Sequence, residues 1–247
     1  MNRYYYDFHI HSCLSPCADN DMTPNNLAAV ATLAGINVMA LTDHNTSKNC
    51  PAFFQAAKRN GIIPIAGMEL TTAEDIHVVC LFEKLEEAME FDGFVDKNRI
   101  RIKNKTEIFG DQLIMDGEDN VIGNDDYLLS NATLITIDDV KKTVESFNGV
   151  SYPAHIDREA NGIIATLGTF PEECGFLCTE FYDENKIDEY TEKYLNLKEK
   201  KLLVSSDAHY IWDIKDKRDY FEIDDEPYSS DKVRREIFKA LRMVDKS

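Results

Sequence analysis

The chain has 247 residues, 43% of them hydrophobic, enough to bury one sizeable core. Its 45 acidic and 27 basic residues leave a formal net charge of −18, which repels a polyphosphate backbone, disfavours long nucleic acid as a partner and favours cations. No apolar run approaches the ~18 residues of a membrane span, and Asp7 with two histidines interrupts the only stretch resembling a signal peptide, so a single cytoplasmic domain with no membrane association is expected.

Tyr4-Tyr5-Tyr6 and the alternation of Asp7-Phe8-His9-Ile10-His11 predict a first strand, on which His9 and His11 share a face. Thr23-Pro24 reads as an N-cap followed by proline at the first helical position, opening a helix through Leu27, Val30 and Leu33 that stops at Gly35. Residues 36–41 form a short apolar strand, with Thr42-Asp43-His44 at its C-terminal end. Pro51 opens a second helix to Asn60, Gly61 ends it, and residues 62–66 make a third strand leading to Gly67-Met68-Glu69. A fourth apolar run, 78–82, begins next to His77.

Residues 83–136 break this rhythm. They are charged and partly helical, carry the one dense basic stretch at 97–105, and then show two apolar runs flanking Asp116-Gly117-Glu118-Asp119, a β-hairpin signature. This segment reads as an insertion carried on one face, either a substrate lid or an oligomer contact or decoration. The rhythm returns with a helix over 137–147, a strand at 149–153 with His155 just past it, a strand at 176–181, a helix at 187–198 and a strand at 202–206 ending in Asp207-Ala208-His209. A helix over 231–243 closes the chain, its apolar face of Val233, Ile237, Leu241 and Val244 suited to packing on a barrel.

Repeated strand–helix units imply parallel strands, whose C-terminal ends gather the chemistry. That rule brings His9, His11, His44, Glu69, His155, Asp207 and His209 into one mouth. His77 starts its strand instead, so it joins them only if that strand bends or runs antiparallel. All six histidines are thus placed as metal-ligand candidates. The six cysteines, Cys13, Cys17, Cys50, Cys80, Cys174 and Cys178, read as reduced core or loop thiols. The three-residue gaps within two of their pairs fit common zinc clips poorly. Cys17 stands out for its place in the loop after the first histidine pair.

The ordered series His-x-His, Asp, Thr-Asp-His, Gly-x-Glu, His, His, Asp-x-His, running from Asp7 to His209, resembles the PHP family, named after polymerases and histidinol phosphatase. The resemblance implies an α/β fold, a distorted, TIM-like (β/α)7 barrel, with up to three divalent metals at its mouth. Carried over by residue, it implies one metal on His9, His11, Glu69 and Asp207, and a second bridged by Glu69 to His77 and His155. It implies a third on Asp19, His44 and His209. Counting back from Thr23-Pro24 selects Asp19, whereas counting forward from His11 ends on Pro16, so the loop carries three extra residues and Asp21 stays open as the ligand. Asp-type family members include phosphoesterases that act on nucleotide phosphates and short oligonucleotides from the 5′ end; histidinol phosphatases usually carry His at that position.

Clustered divalent cations lower the pKa of a shared water to give hydroxide near neutral pH and neutralise phosphate oxygens. Mixed imidazole and carboxylate ligands suit manganese, iron or zinc. Arg158, after Pro153-Ala154-His155-Ile156-Asp157, is the candidate phosphate clamp, or else the partner of Asp157 or Glu159. Asp207 and His209 join it as candidate catalytic residues. Asn45 either contacts substrate or caps a turn, and Asp43 either orients His44 or satisfies a backbone turn. The expected activity is hydrolysis of a phosphate ester of a small molecule or short nucleotide. An amidohydrolase-type metal hydrolase and a non-catalytic metal- or phosphate-binding regulatory module are the alternatives.

Overall fold

The computed structural model describes residues 1–243, so Val244 lies outside the described residues. Strand β1 (Asn2–Asp7) leads to helix α1 (Pro24–Ala34), where the Thr23 side chain accepts from the Asn26 N–H and Gly35 closes the last turn at φ 73°. Strand β2 (Val38–Leu41), helix α2 (Cys50–Asn60) and strand β3 (Ile63–Thr71) follow, and β1, β2 and β3 pair in parallel. Strand β4 (His77–Phe82) runs antiparallel to β3.

The 83–136 segment supplies α3 (Leu85–Asn98), the single turn α4 (Thr106–Phe109) and the hairpin β5 (Leu113–Met115) with β6 (Val121–Asn124). It is bonded to the loops after β1 and β2. Leu113 N–H donates to Cys13 O at 2.9 Å, Asp119 accepts from Thr23, and Asp125 pairs with Lys48 at 2.7 Å. The chain continues through α5 (Ile137–Ser146), β7 (Val150–Pro153), α6 (Ile163–Leu167), β8 (Cys178–Phe181), α7 (Ile187–Lys193), β9 (Lys201–Val204), β10 (Tyr220–Ile223) and α8 (Ser230–Leu241).

Six strands form one sheet in the order β10-β1-β2-β3-β4-β7, and β8 pairs in parallel with β9. The Ile156 N–H, just past β7, bonds Glu180 O within β8, and the His11 N–H bonds Ala208 O, so the curled sheet closes into a distorted TIM-like barrel. Side-chain alternation builds two cores. Tyr4, Tyr6, Phe8, Val38, Ile63 and Tyr152 fill the interior with Val233, Ile237, Phe238 and Leu241 of α8 packed against them. Met39, Leu41, Met68, Val78 and Phe82 meet the helices outside. The packing expected of the last helix is thus present for the residues described.

Four details depart from the sequence reading. Strand β4 is antiparallel to both β3 and β7, an exception to the parallel rule that resolves the choice left open at His77 between a bend and a reversed strand. It is also what carries His77, the first residue of β4, to the C-terminal ends of its neighbours. Strand β10, antiparallel to β1, is an added edge. Leu33 is 85% exposed, and α1 instead buries Leu27 with Ala28, Ala31 and Ala34. The helix expected over 187–198 stops at Lys193, because Tyr194 takes φ −119° and a 3-10 turn follows. Among the described residues no helix is long and apolar enough to cross a membrane.

Candidate metal centre

Every histidine of the chain converges on one place at the barrel mouth. His9 and His11 follow β1 and are fully buried, their Nε2 atoms 3.2 Å apart. Glu69, within β3, lies 1% exposed at the centre. Its Oε1 is 3.2 Å from His9 Nε2, 2.8 Å from His77 Nδ1 and 3.1 Å from His155 Nε2, while its Oε2 is 2.9 Å from His44 Nδ1 and 3.3 Å from His11 Nε2. Asp207 Oδ1 lies 3.4 Å from His9 and 3.3 Å from His11. The His209 ring stacks on His11 at 4.1 Å between centroids.

The ends of the strands hold these side chains by uncommon backbone geometry. His155, Asp207 and Asn45 adopt φ of 27°, 49° and 51°, conformations that cost non-glycine residues about 1–3 kcal/mol each and collect at functional sites. Behind the rings, hydrogen bonds fix which nitrogen faces the centre. His9 Nδ1 meets Glu180 Oε1 at 2.7 Å, and His11 Nδ1 meets Ser15 Oγ at 2.9 Å, which donates in turn to Asp43. Both Nε2 atoms are thereby left to the centre. Asp43 also accepts from the Ser12 N–H and hydroxyl, and through Ser15 it supports both His11 and the His44 backbone, whose N–H donates to Ser15 Oγ at 3.2 Å.

The charges fit the same picture. Burial alone would raise the Glu69 carboxyl, but His77, His9 and His44 hold it well below the usual range. Asp207 is likewise held low against burial by His9 and His11. Burial favours neutral His9, but Glu180, Glu69 and Asp207 outweigh it and raise its pKa. Burial dominates at His77 and lowers it. Desolvation raises the Cys17 thiol, yet His44 and His209 bring it down to about 4.

These groups suit divalent cations. Ligand atoms of His9, His11, Glu69 and Asp207 lie within 4.8 Å of one another, as do those of His44, Glu69 and His77 and those of His11, His44 and His209. Glu69 Oε2, Asp207 Oδ1 and His44 Nδ1 are buried without a geometrically satisfactory hydrogen bond, a costly arrangement for polar atoms unless a further group satisfies them.

Neither Asp19 nor Cys17 belongs to these three groups, and the Asp19 carboxylate accepts from the Asp21 N–H at 2.8 Å. The loop residue facing the histidines is Cys17, whose Sγ lies 3.2 Å from His44 Nε2. Asn45, open in the sequence between substrate contact and turn cap, bonds backbone groups here. Its amide donates to Leu129 O and Asn131 O and accepts from the Thr71 N–H, tying the 83–136 segment to the barrel. Arg158 pairs with Asp207 and stacks on Tyr182 at 4.3 Å. It makes no pair with Asp157, which accepts from the Tyr182 and Asp183 N–H groups and lies 3.7 Å from Lys186.

A cleft of about 600 Å³ opens onto the centre, lined by His77, His155, Asp207 and His209 together with Arg158, Tyr182 and Lys186. No residue of 83–136 lines it, so the lid reading of that segment gains no support. Glu180, Tyr182 and Lys186 were not singled out from the sequence. A lone carboxylate at the end of the apolar run 176–181 was the available signal for Glu180. Glu180→Gln is expected to weaken metal binding ~10–100-fold, the usual effect of removing a carboxylate that orients a metal-facing histidine. Competition with a chromogenic chelator measures it, and unchanged affinity would remove Glu180 from the centre.

Known proteins resemble this chain in sequence or fold. The family model described as PHP domain matches residues 7–239. The chain therefore belongs to the PHP family. It is 39% identical over 88 residues to a 5′-3′ exoribonuclease of Haemophilus influenzae, an alignment spanning 34% of this chain and 31% of that protein. In fold it is similar to the lesion-specific endonuclease PfuEndoQ of Pyrococcus furiosus, with TM-score 0.69 and 17% identity over 96% of this chain and 56% of that one. It is also similar to a protein assigned as a metal-dependent phosphoesterase from Bifidobacterium adolescentis, with TM-score 0.61 and 15% identity over 97% of both chains.

Proposed function

We propose that the chain is a metal-dependent phosphoesterase that hydrolyses the phosphate ester of a short nucleotide or another small molecule at a three-cation centre. The observation that carries this is the junction of two features. The buried ligand atoms of His9, His11, Glu69 and Asp207 converge within 4.8 Å, and a cleft bearing Arg158 and Lys186 opens directly onto them. His77 and His155 would hold a second cation together with Glu69, and His44 with His209 would hold a third. Divalent cations bound here supply an acidified water and neutralise phosphate oxygens.

The chain's own side chains do the remaining work. Arg158 reaches from Asp207 into the cleft and can present paired N–H donors to a phosphate oxygen pair. Lys186 adds charge farther out, and the Tyr182 ring gives a flat wall for a sugar or base. Glu180 and Ser15 keep the His9 and His11 rings turned toward the centre. The likeness to a 5′-3′ exoribonuclease supports a nucleotide substrate. The charge of −18 supports short ones over long polymers, which the surface repels.

Elemental analysis of protein purified without chelator, paired with hydrolysis of phosphomonoesters and 5′-phosphorylated short oligonucleotides before and after stripping and restoring manganese, tests the reading. Bound metal with activity that tracks its return is expected; absence of bound metal would overturn it. Arg158→Ala is expected to lower kcat/KM about 10–100-fold, since a hydrogen bond to a charged group contributes about 1.5–3 kcal/mol and 1.4 kcal/mol is tenfold. Metal content should stay unchanged in that variant, and equal loss of metal would assign Arg158 to the centre's integrity instead.

A further inference from the structure

The loop between His11 and Pro24 is three residues longer than the motif spacing implies, and its geometry selects an unanticipated residue. Asp19 spends its carboxylate on the Asp21 N–H and its own N–H on His209 O. These bonds anchor the loop beside the centre and turn the carboxylate to a local role. Cys17, two residues earlier, directs Sγ to 3.2 Å from His44 Nε2. The thiol does not stand alone. His44 is 4% exposed, and His11, His44 and His209 offer ring nitrogens within 4.8 Å of one another.

We propose that Cys17, and not Asp19, completes the outer cation position with His44 and His209, giving that position one thiolate and two imidazoles. The inference rests on the metal centre proposed above. Its chemical consequence is selectivity. A carboxylate is a hard donor that accepts manganese readily, whereas a thiolate favours softer cations such as zinc. The inner position, built from His9, His11, Glu69 and Asp207, keeps a mixed imidazole–carboxylate set. The two ends of one centre therefore differ in the metal they prefer, and zinc or ferrous iron is the expected outer occupant.

Cobalt(II) loading of the full chain tests this without recourse to turnover. Cobalt on a thiolate gives a near-ultraviolet sulfur-to-metal charge-transfer band, which imidazole and carboxylate ligands alone do not. The wild-type protein is expected to show the band. Cys17→Ser should lose it together with one equivalent of metal per chain, while retaining the inner cations; Asp19→Asn should keep both band and metal. Alkylation mapped by mass spectrometry gives a second readout, because Cys17 is exposed and the other five cysteines are buried. Modification of Cys17 should be rapid in stripped protein and suppressed by zinc. A wild-type protein that binds cobalt without the band, or a Cys17→Ser protein with full metal content, would overturn the assignment and leave the phosphoesterase reading standing. A protein that binds no metal would overturn both.

Discussion

Glu69→Gln is expected to remove at least one equivalent of metal and to lower turnover by roughly three orders of magnitude or more, about 4 kcal/mol of lost stabilisation where each 1.4 kcal/mol is tenfold. One carboxylate here lies within 3.3 Å of five histidines, so its charge is shared by every cation position proposed. The amide is nearly isosteric, and β3 is buried along its whole length, so the backbone has no reason to move. What changes is electrostatic. A neutral amide cannot offset closely spaced cations, and its NH2 group turns a donor toward nitrogens meant to face a metal. Metal content by elemental analysis and kcat on a phosphomonoester measure the two effects. A folded Glu69→Gln protein with full metal and wild-type turnover would show that Glu69 is not the bridge.

The centre was legible in the sequence to the extent that its ligands sit at the ends of apolar runs. His9 and His11 share a face because the strand period is two, and His44, Glu69, His155 and Asp207 each follow or close a run of buried residues. The structure brings these together at one barrel mouth. His77 marked in advance where a strand had to reverse, and β4 does so. Polarity at a strand's edge survives translation into sequence pattern because burial of the strand itself leaves no other role for it.

What the sequence hid depends on partners distant along the chain or on the direction of one side chain. Glu180 contacts His9 across 171 positions, and nothing local announces that pairing. Asn45 adjoins His44, yet its φ of 51° turns its amide toward Leu129 and Asn131. In the loop before α1, motif counting selected Asp19, and the contact of Cys17 Sγ with His44 Nε2 at 3.2 Å has no counterpart in any spacing of the sequence. Edge strand β10 is exposed at Tyr220 and Glu222, and so lacks the continuous apolar run that marks β2 to β4.

Metal binding is expected to raise Tm by roughly 8–16 °C per occupied site at a thousandfold excess over Kd, taking about 4 kcal/mol per site and 2–4 °C per kcal/mol at this chain length. The gap between loaded and stripped protein should widen as pH rises. In stripped protein, His9, His44 and His209 have pKa values raised above the ordinary 6.5. Their contribution is fully present below 6.5 and is lost as pH climbs through the raised folded values. Glu69 and Asp207 are lowered from 4.5 and 3.8, so their contribution is present above those values and is lost only as pH falls through the folded ones. The stripped protein is therefore best served between the carboxylate range and 6.5, where protons on the imidazoles neutralise the two carboxylates. Cations take over that role in loaded protein, and they bind more tightly as protons leave. His77, already lowered by burial, offers its ring with little proton competition. Thermal melts with and without chelator, run from just below 6.5 to well above it, measure the difference; a gap that stays flat or narrows with rising pH would mean that the histidines do not carry the metal.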